Sequence, residues 1–349
     1  MAVTDPFAPP GSITLIAPGM GAVVRQAADG VTGALSLLAG RGSIRLAWDR
    51  RDLEQARLRP WQRGLLDVLG LEPRSFASAP VSALGDDSLA SAESGDESEG
   101  SYWLHAELVH LAAGLDRLTF LPLTGPATVT RGEHHALAPL ITRHLNDSSL
   151  RLLTGVDERW FLHAPHAPDL ETASPDAAAA NELETVMPSG PDAGELRRVM
   201  TECQMLLHDH DVNEKRQRRG LPAINALWPW GGGVRSLHSA RTMPRMVSDD
   251  AYVRGICRMH ALEAEAAPES GADLIDRLDG TRPVIAVVST DDSRNLEGNW
   301  IEPSIAALRA GRLECVDLIL DEWHIRATRG MLRRFWRKPL LPPAWPKSI

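Results

Sequence analysis

The chain has 349 residues, 43% of them hydrophobic and 24% charged, and carries a net charge of −9. That length supports one large domain or two moderate ones with a substantial core, and the composition excludes global disorder. The acidic balance argues against a polyanion-coating role, leaving only a local basic patch for such a partner.

In chain order, residues 12–17 form an apolar run typical of a buried strand, ended by the turn Pro18-Gly19-Met20-Gly21. Helical periodicity follows at 32–39 and at 60–69, where Trp61, Leu65, Leu66 and Leu69 share a face and Gly70 stands past the end. Residues 86–101 are acidic, serine-rich and glycine-broken, the composition of a flexible surface loop. Strands are expected at 102–111 and 118–121, a helix at 133–145, and paired strands at 150–154 and 159–163 around a turn at Val156-Asp157.

A proline- and alanine-rich stretch, 164–191, reads as a linker between an N-terminal α/β part (1–163) and a C-terminal one (192–349), the whole forming one compact unit. Asp192 is placed to cap a helix in which Leu196, Val199, Met200, Cys203, Leu206 and Leu207 recur at helical spacing. A short strand at 225–230 runs into three glycines. Helices are expected at 249–262, 272–278 and 301–310, and strands at 283–289, 315–320 and 323–328. A basic segment with Arg333, Arg334, Arg337 and Lys338 follows. Strands alternating with helices predict an α/β protein with a mixed or mostly parallel sheet covered by helices.

Cys203, Cys257 and Cys315 are widely spaced, so reduced thiols in the cytoplasm are expected rather than disulfides or a cysteine-rich zinc site. No apolar run approaches the length of a membrane span, and no basic segment precedes an apolar one near Asp5, Pro6, Pro9 and Pro10 as in a signal peptide. Neither a membrane nor a nucleic-acid partner is therefore expected. Ten tryptophans stand against two tyrosines. Core packing accounts for most of them, and an aromatic-lined cleft is the alternative.

The densest patch of potential chemistry is 208–233. Lys215, Arg216, Arg218 and Arg219 offer donors for phosphate or carboxylate, Asn213 and Asn225 offer amides, and Gly231, Gly232 and Gly233 allow backbone N–H groups to approach an anion. Arg235 follows the same loop, and Trp228 and Trp230 add aromatic walls. The plainer readings stay open: a solvated helix end for Arg218 and Arg219, and a simple turn for the glycines. His208 and His210 lie two apart, which separates them around a helix and makes a cap or a hydrogen bond more natural than a shared metal. Glu133-His134-His135, His163 and His166 are more ordinary as surface or structural groups. Asp291 and Asp292 follow a central strand, where α/β proteins place functional carboxylates, and are weaker candidates. No nucleophile elbow or phosphate-loop lysine is present.

His210-Asp211-Val212-Asn213, Arg216, Gly220-Leu221-Pro222-Ala223, Asn225 and the tryptophan–glycine stretch resemble the HPVN…R…GLPxxN…WGxG pattern of two related groups. One is the RpfE-type bacterial regulatory proteins, often labelled phosphoglycerate-mutase-like. The other is the archaeal-type cofactor-independent phosphoglycerate mutases of the alkaline phosphatase superfamily. The RpfE-type resemblance extends to Gln204-Met205-Leu206-Leu207, to Tyr102-Trp103-Leu104-His105-Ala106, and to the segment from Gly298 through Asn299, Trp300, Ile301 and Glu302 to Pro303. It implies an alkaline-phosphatase-like sheet with a smaller inserted or appended subdomain.

Mutase chemistry implies two divalent metals held by Asp and His, plus a serine that becomes phosphorylated. Where those enzymes carry an Asp-Gly-Met-Gly-Asp-like turn, this chain has Pro18-Gly19-Met20-Gly21-Ala22, and where they carry Asp-His it has Ser289-Thr290-Asp291-Asp292. Proline and alanine cannot ligate a metal. The expectation is a metal-less, non-catalytic regulatory protein that binds a phosphorylated or carboxylated small molecule or a protein partner. His208, His210, Asn213, Arg216, Asn225, Trp228, Trp230, Gly231, Gly232, Gly233 and Arg235 would contact that ligand. The alternatives are an active mutase or phosphatase-like enzyme with two divalent ions in a rearranged site, and a protein-interaction scaffold.

Overall fold

The computed structural model describes residues 9–26, 33–47, 57–90, 100–114, 118–235, 241–290 and 292–346. The strands of these residues are β1 (Ser12–Ile16), β2 (Ser43–Leu46), β3 (Tyr102–Ala113), β4 (Leu118–Leu121), β5 (Arg151–Thr154), β6 (Trp160–Ala164), β7 (Ala226–Val234), β8 (Arg245–Val247), β9 (Val284–Val287), β10 (Cys315–Leu320) and β11 (Trp323–Thr328). The chain is a mixed α/β protein, as its alternating pattern predicts.

Contacts divide the chain into two units that interleave in sequence. The first comprises 1–50, 60–73 and 239–349, and the second 51–59 and 74–238. The division does not fall at 164–191, because both flanks of that stretch belong to the second unit. Nor is the inserted portion the smaller one: the two units are of similar length.

The first unit is built on a six-stranded sheet in the order β2-β11-β10-β1-β9-β8. The β10–β1, β1–β9 and β9–β8 pairs are parallel, and β11 and β2 close one edge in antiparallel fashion. The strands β1, β9 and β10 are buried along their whole length, which explains why they read as continuous apolar runs rather than alternating ones. Ile13, Leu15, Val284, Ala286, Val316, Leu318 and Ile325 form one core with the helices Ala34–Arg41 and Glu302–Ala310. Leu296, Trp300 and Ile301 join it from a π-helical turn, Leu296–Ile301. The helix Pro60–Leu69 has the bounds its periodicity predicts, and its Trp61 meets Tyr252 of the helix Ala251–Met259 edge-on at 5.9 Å.

The strands β8 and β2 escape sequence reading because they are only three and four residues long, too short for a strand pattern to stand out even where, as in β2, it alternates. At the β11 edge the sheet face turns polar. Asp317 lies opposite Arg326 in register and takes two hydrogen bonds from its guanidinium, at 2.8 Å each, while His324 Nε2 stands 2.5 Å from Asp317 Oδ1. Burial would raise the Asp317 carboxyl, but the hydrogen bonds from His324 and Arg326 hold it below its ordinary value.

The second unit has an antiparallel sheet in the order β4-β3-β6-β5, with β7 paired to β3 along its other edge. One face of this sheet presents Leu104, Ala106, Leu108, Leu162 and Leu227 to the helices Arg131–Leu145 and Ala193–His208. Leu196, Val199, Met200, Cys203 and Leu207 are buried on the second of these helices, as predicted, while Leu206 is only half-buried. The opposite face packs Trp103 and Phe161 against Ala79 and Ala83 of the helix Ser78–Gly85.

Three local expectations in this unit are corrected. The stretch 164–191 is no free linker: it holds the helices Pro175–Ala180 and Leu183–Val186, pairs Glu171 with Ser189, and buries Leu170, Ala177 and Leu183. Asp192 makes no side-chain cap. Its Oδ2 accepts from the Asp169 N–H instead, at 2.8 Å. The acidic stretch from 86 begins with a buried carboxylate, Asp86, which accepts from the N–H groups of Ser88 and Val156, and a helical turn follows at Asp87–Ala90. Residues 91–99 lie outside the described residues.

Of the tryptophans, Trp61, Trp103, Trp160, Trp228, Trp230, Trp300, Trp323 and Trp345 are buried, so core packing explains most of them. All three cysteines are free and buried, and burial pushes each thiol up to about 12. Among the described residues no helix is long and apolar enough to cross a membrane.

Candidate functional site

The segment singled out by sequence starts at the exposed C-terminus of the helix Ala193–His208. His208 stands in solvent, 3.8 Å from Asp209. His210 is the N-cap of the next helix, Asp211–Arg218: its Nδ1 accepts from the Val212 N–H at 3.2 Å. An imidazole thus takes the capping place usually held by Ser or Asp, and satisfies one of the helix's open donors.

Asn213 is buried. Its amide donates to the carbonyls of Leu207 and Ile224 at 2.7 and 2.8 Å, and its oxygen accepts from the Ile224 N–H at 2.7 Å. Arg216 is fully buried, and donates to the Pro222 carbonyl (2.8 Å), to the Ala127 carbonyl (2.5 Å) and to Glu133 (3.0 Å). Glu133 also closes a capping box with Thr130 at the start of the helix Arg131–Leu145. Burial would raise its carboxyl, but hydrogen bonds from Thr130 and Arg216 hold it below the ordinary value.

Asn225 pairs its side chain with both backbone groups of Leu111, at 2.7 and 2.9 Å, and so prolongs the β3–β7 ladder by one more rung. These three residues build the turn that delivers the chain into β7. Apart from the Arg216–Glu133 pair, their polar atoms serve backbone, which a resemblance in sequence alone does not reveal. Lys215, Arg218 and Arg219 remain on the exposed side, where Arg218 pairs with Glu214 one helical turn away.

The triple glycine lies within β7 rather than in a loop after it. Its physical requirement is close approach. A Cβ on Gly231 would stand 2.9 Å from the Ser78 side chain, one on Gly233 2.4 Å from Ala77 Cβ, and one on Gly232 2.2 Å from the Tyr102 hydroxyl. Gly231 also has φ +68°, in the left-handed region that favours glycine. The glycines therefore admit the N-terminus of the helix Ser78–Gly85 and the ring of Tyr102.

The close approach creates a layer of ionisable and aromatic groups of which sequence reading named Trp230 and Arg235 but missed Arg59, Ser78 and His105. Ser78 Oγ lies 2.9 Å from His105 Nε2, and the His105 ring stacks on Trp230 with centroids 4.4 Å apart. Burial first, and then the charges of Arg159 and Arg59, hold His105 well below its ordinary value, so the ring is neutral near pH 7. Arg59 lies over Trp230 at 4.9 Å and pairs with Glu107 and Asp176, while Arg235 lies over Trp103 at 4.4 Å. Burial lowers Arg235 to about 10, which leaves it cationic at neutral pH. Trp228 is committed differently, its indole donating to the Ala173 carbonyl at 2.9 Å. No local motif links Arg59, Ser78 and His105 in sequence; they are gathered where the helix Ser78–Gly85 and Arg59 pack on the paired strands β3 and β7.

The same unit has a groove of about 120 Å³ lined by Tyr102, Leu104, Leu150, Leu170 and Leu196, with Ser149, His166 and Glu195 among its polar groups. None of the residues predicted to bind a ligand lines it. Of the remaining histidines considered, His135 meets Glu158 at 3.1 Å, His134 packs on Trp160, and His163 packs on Trp103.

In the first unit, the place where α/β proteins carry function is the carboxyl end of β1, β9 and β10. There the turn after β1 directs the Gly19 and Gly21 N–H groups at Asp321, with distances of 3.0 Å to Oδ1 and 2.8 Å to Oδ2. A Cβ on Gly21 would meet Asp321 Oδ2 at 2.8 Å, so glycine is what admits the carboxylate. A parallel arrangement serves the helix Ala34–Arg41, whose Leu35 N–H donates to Glu297 at 3.0 Å, beside Gly33. Asp292 Oδ1 accepts from the Asn295 N–H at 2.7 Å and caps a short helix; Asp291 lies outside the described residues.

Tested against a pair of divalent ions, these residues do not fit. The turn offers Pro18 and Ala22 where carboxylate ligands are needed, and the nearby carboxylate of Asp321 is held by backbone N–H groups. Among the described residues no group of three His, Cys, Asp or Glu side chains is placed to hold a metal.

No protein-family model matches the chain, and no curated protein matches it. Among solved structures it is similar to a cofactor-independent phosphoglycerate mutase from Thermoplasma acidophilum, with 17% identity, 92% of this chain and 90% of the other covered, and a TM-score of 0.38. It is also similar to a protein from Pyrococcus horikoshii, with 14% identity, 89% and 81% coverage, and a TM-score of 0.39. Neither likeness assigns a role to any residue of this chain.

Proposed function

We propose that this chain is a phosphoglycerate-mutase-like regulatory protein of the RpfE type, with an alkaline-phosphatase-like ancestry. It binds a phosphorylated or carboxylated small molecule, or a protein partner, without turning it over. The observation that carries this reading is the turn Pro18–Gly21. Its backbone donors hold the protein's own Asp321 carboxylate, and its side chains supply no metal ligand. A binuclear phosphoryl-transfer centre needs anionic and imidazole ligands converging there, so the chemistry of the resembled mutases has no foothold in these residues.

Within the ligand-binding segment the proposal gives direct contact to Arg235, just past the end of β7, and leaves Trp230 to hold His105 and Arg59 from the buried middle of the strand. It gives Asn213, Arg216, Asn225 and the glycines the task of holding that end in place. A guanidinium over an indole is a weakly hydrated cation suited to a carboxylate or phosphate.

Thermal unfolding with added 3-phosphoglycerate, inorganic phosphate or citrate tests the reading. A ligand at about 100 times its dissociation constant adds about 2.7 kcal/mol, and Arg235→Gln should remove the shift. Two tightly bound divalent ions together with phosphoglycerate turnover would overturn it.

A further inference from the structure

From Trp323 onward the chain contains seven Lys and Arg residues and no carboxylate side chain, in a protein whose net charge is −9. Within this stretch, Arg333-Arg334-Phe335-Trp336-Arg337-Lys338 follows the short helix Arg329–Leu332. Phe335 is 80% exposed and Trp336 68% exposed, in contrast to the buried tryptophans of the core, and Leu341 adds a further exposed apolar side chain.

The segment is held in place. Leu332 and Trp345, on either side, are buried in the core of the first unit, and the Leu340 N–H donates to the Ser36 carbonyl at 2.9 Å. Within the turn, Arg334, Phe335 and Arg337 donate their N–H groups to the carbonyls of Met331, Arg333 and Arg334. The two rings meet edge to face, with centroids 5.3 Å apart. The fold thus fixes an apolar tip in water with cations on both flanks.

We infer that this turn is a docking surface for an anionic lipid bilayer, with Phe335 and Trp336 entering the headgroup boundary and Arg333, Arg334, Arg337 and Lys338 meeting lipid phosphates and carboxylates. Aromatic rings favour that boundary, and long cationic side chains keep their charges at its surface. Each cation close to an anionic leaflet contributes about fivefold to binding. The expectation of no membrane partner rested on the absence of a spanning segment, and surface docking needs none.

The geometry favours a bilayer over other polyanions. Single-stranded nucleic acid requires successive stacking platforms along a cationic track, whereas these two rings stand perpendicular at one point. A protein partner would need a matching pocket for the pair, while a bilayer requires only an apolar tip among cations.

Sedimentation of the full chain with vesicles tests the inference. Binding is expected to vesicles of phosphatidylcholine with about 30% phosphatidylserine, to be weak on phosphatidylcholine alone, and to fall about tenfold or more at high salt. Phe335→Ala/Trp336→Ala and Arg333→Glu/Arg334→Glu should each lower binding by tenfold or more while circular dichroism stays unchanged. Loss through either pair alone supports the inference only if brominated lipids also quench Trp336 relative to Trp336→Phe. No binding to the anionic vesicles, or binding unaffected by both pairs, overturns it. So does an oligonucleotide that binds more tightly than the vesicles and is lost in the same variants.

Discussion

Two glycine-bearing segments, only the second of them legible in the sequence as a place for an anion, serve different physical ends. After β1, glycines let the backbone N–H groups of residues 19 and 21 reach a carboxylate, and the anion they receive is Asp321. In β7, glycines leave room for Ser78, Ala77 and Tyr102, and the cations stand at the margin as Arg59 and Arg235 over indole rings. The same residue type permits hydrogen bonding in one place and packing in the other. Which of the two applies depends on what lies across the gap, and this is invisible in the local sequence.

The support of β7 is the side of this comparison most easily broken. Arg216→Ala leaves Glu133 and two carbonyls without their donor inside the second unit, and about 3–5 kcal/mol of stability should be lost in denaturant unfolding. A loss under about 1 kcal/mol, the range of a surface ion pair, would show that the buried network contributes little. Gly232→Ala should cost about 1–3 kcal/mol through overpacking against Tyr102. Combining it with Tyr102→Leu should recover part of that loss, as expected for residues in contact. Strict additivity would place the strain elsewhere.

On the other side, Asp321→Ala removes the acceptor shared by Gly19 and Gly21, and about 1–3 kcal/mol should follow. Asp321→Asn keeps an acceptor and a side chain tolerant of the φ of 48° found there, so it should cost less. Were the two variants equal, the carboxylate would not be what the turn holds.

The smallest effect concerns pH. His105 has a folded value below its unfolded one, so the unfolded chain binds the extra proton first on acidification. Its contribution is fully present above about pH 6.5 and is lost as pH falls towards the folded value, with a slope of up to about 1.4 kcal/mol per pH unit. Denaturation midpoints measured between neutral and mildly acidic pH should show that slope flatten in His105→Phe.

Much of the fold was readable without coordinates. The helix at 60–69 and the strands at 315–320 and 323–328 have the predicted bounds, because apolar periodicity and β-branched runs are local signals with few competing readings. The free, buried cysteines and the mostly buried tryptophans follow the composition. The capping role of a histidine near 208–210 was also legible, since that spacing forbids a common face. The stretch 164–191 misled because its prolines and alanines describe a linker, yet its short helices bury apolar side chains that only tertiary contacts can claim.

The sequence by itself determined the secondary structure of the long elements, the α/β class and the absence of metal ligands in the turn at 18–22, because each depends on residue type and near-neighbour spacing. Only the tertiary structure decided that Asn213, Arg216 and Asn225 hold backbone, that Ser78 meets His105 where its helix packs on β3 and β7, and that Asp321 fills the turn after β1. Those outcomes depend on pairs of residues up to 302 positions apart, and the hydrogen bonds between them are set by strand order and register, which no local pattern encodes.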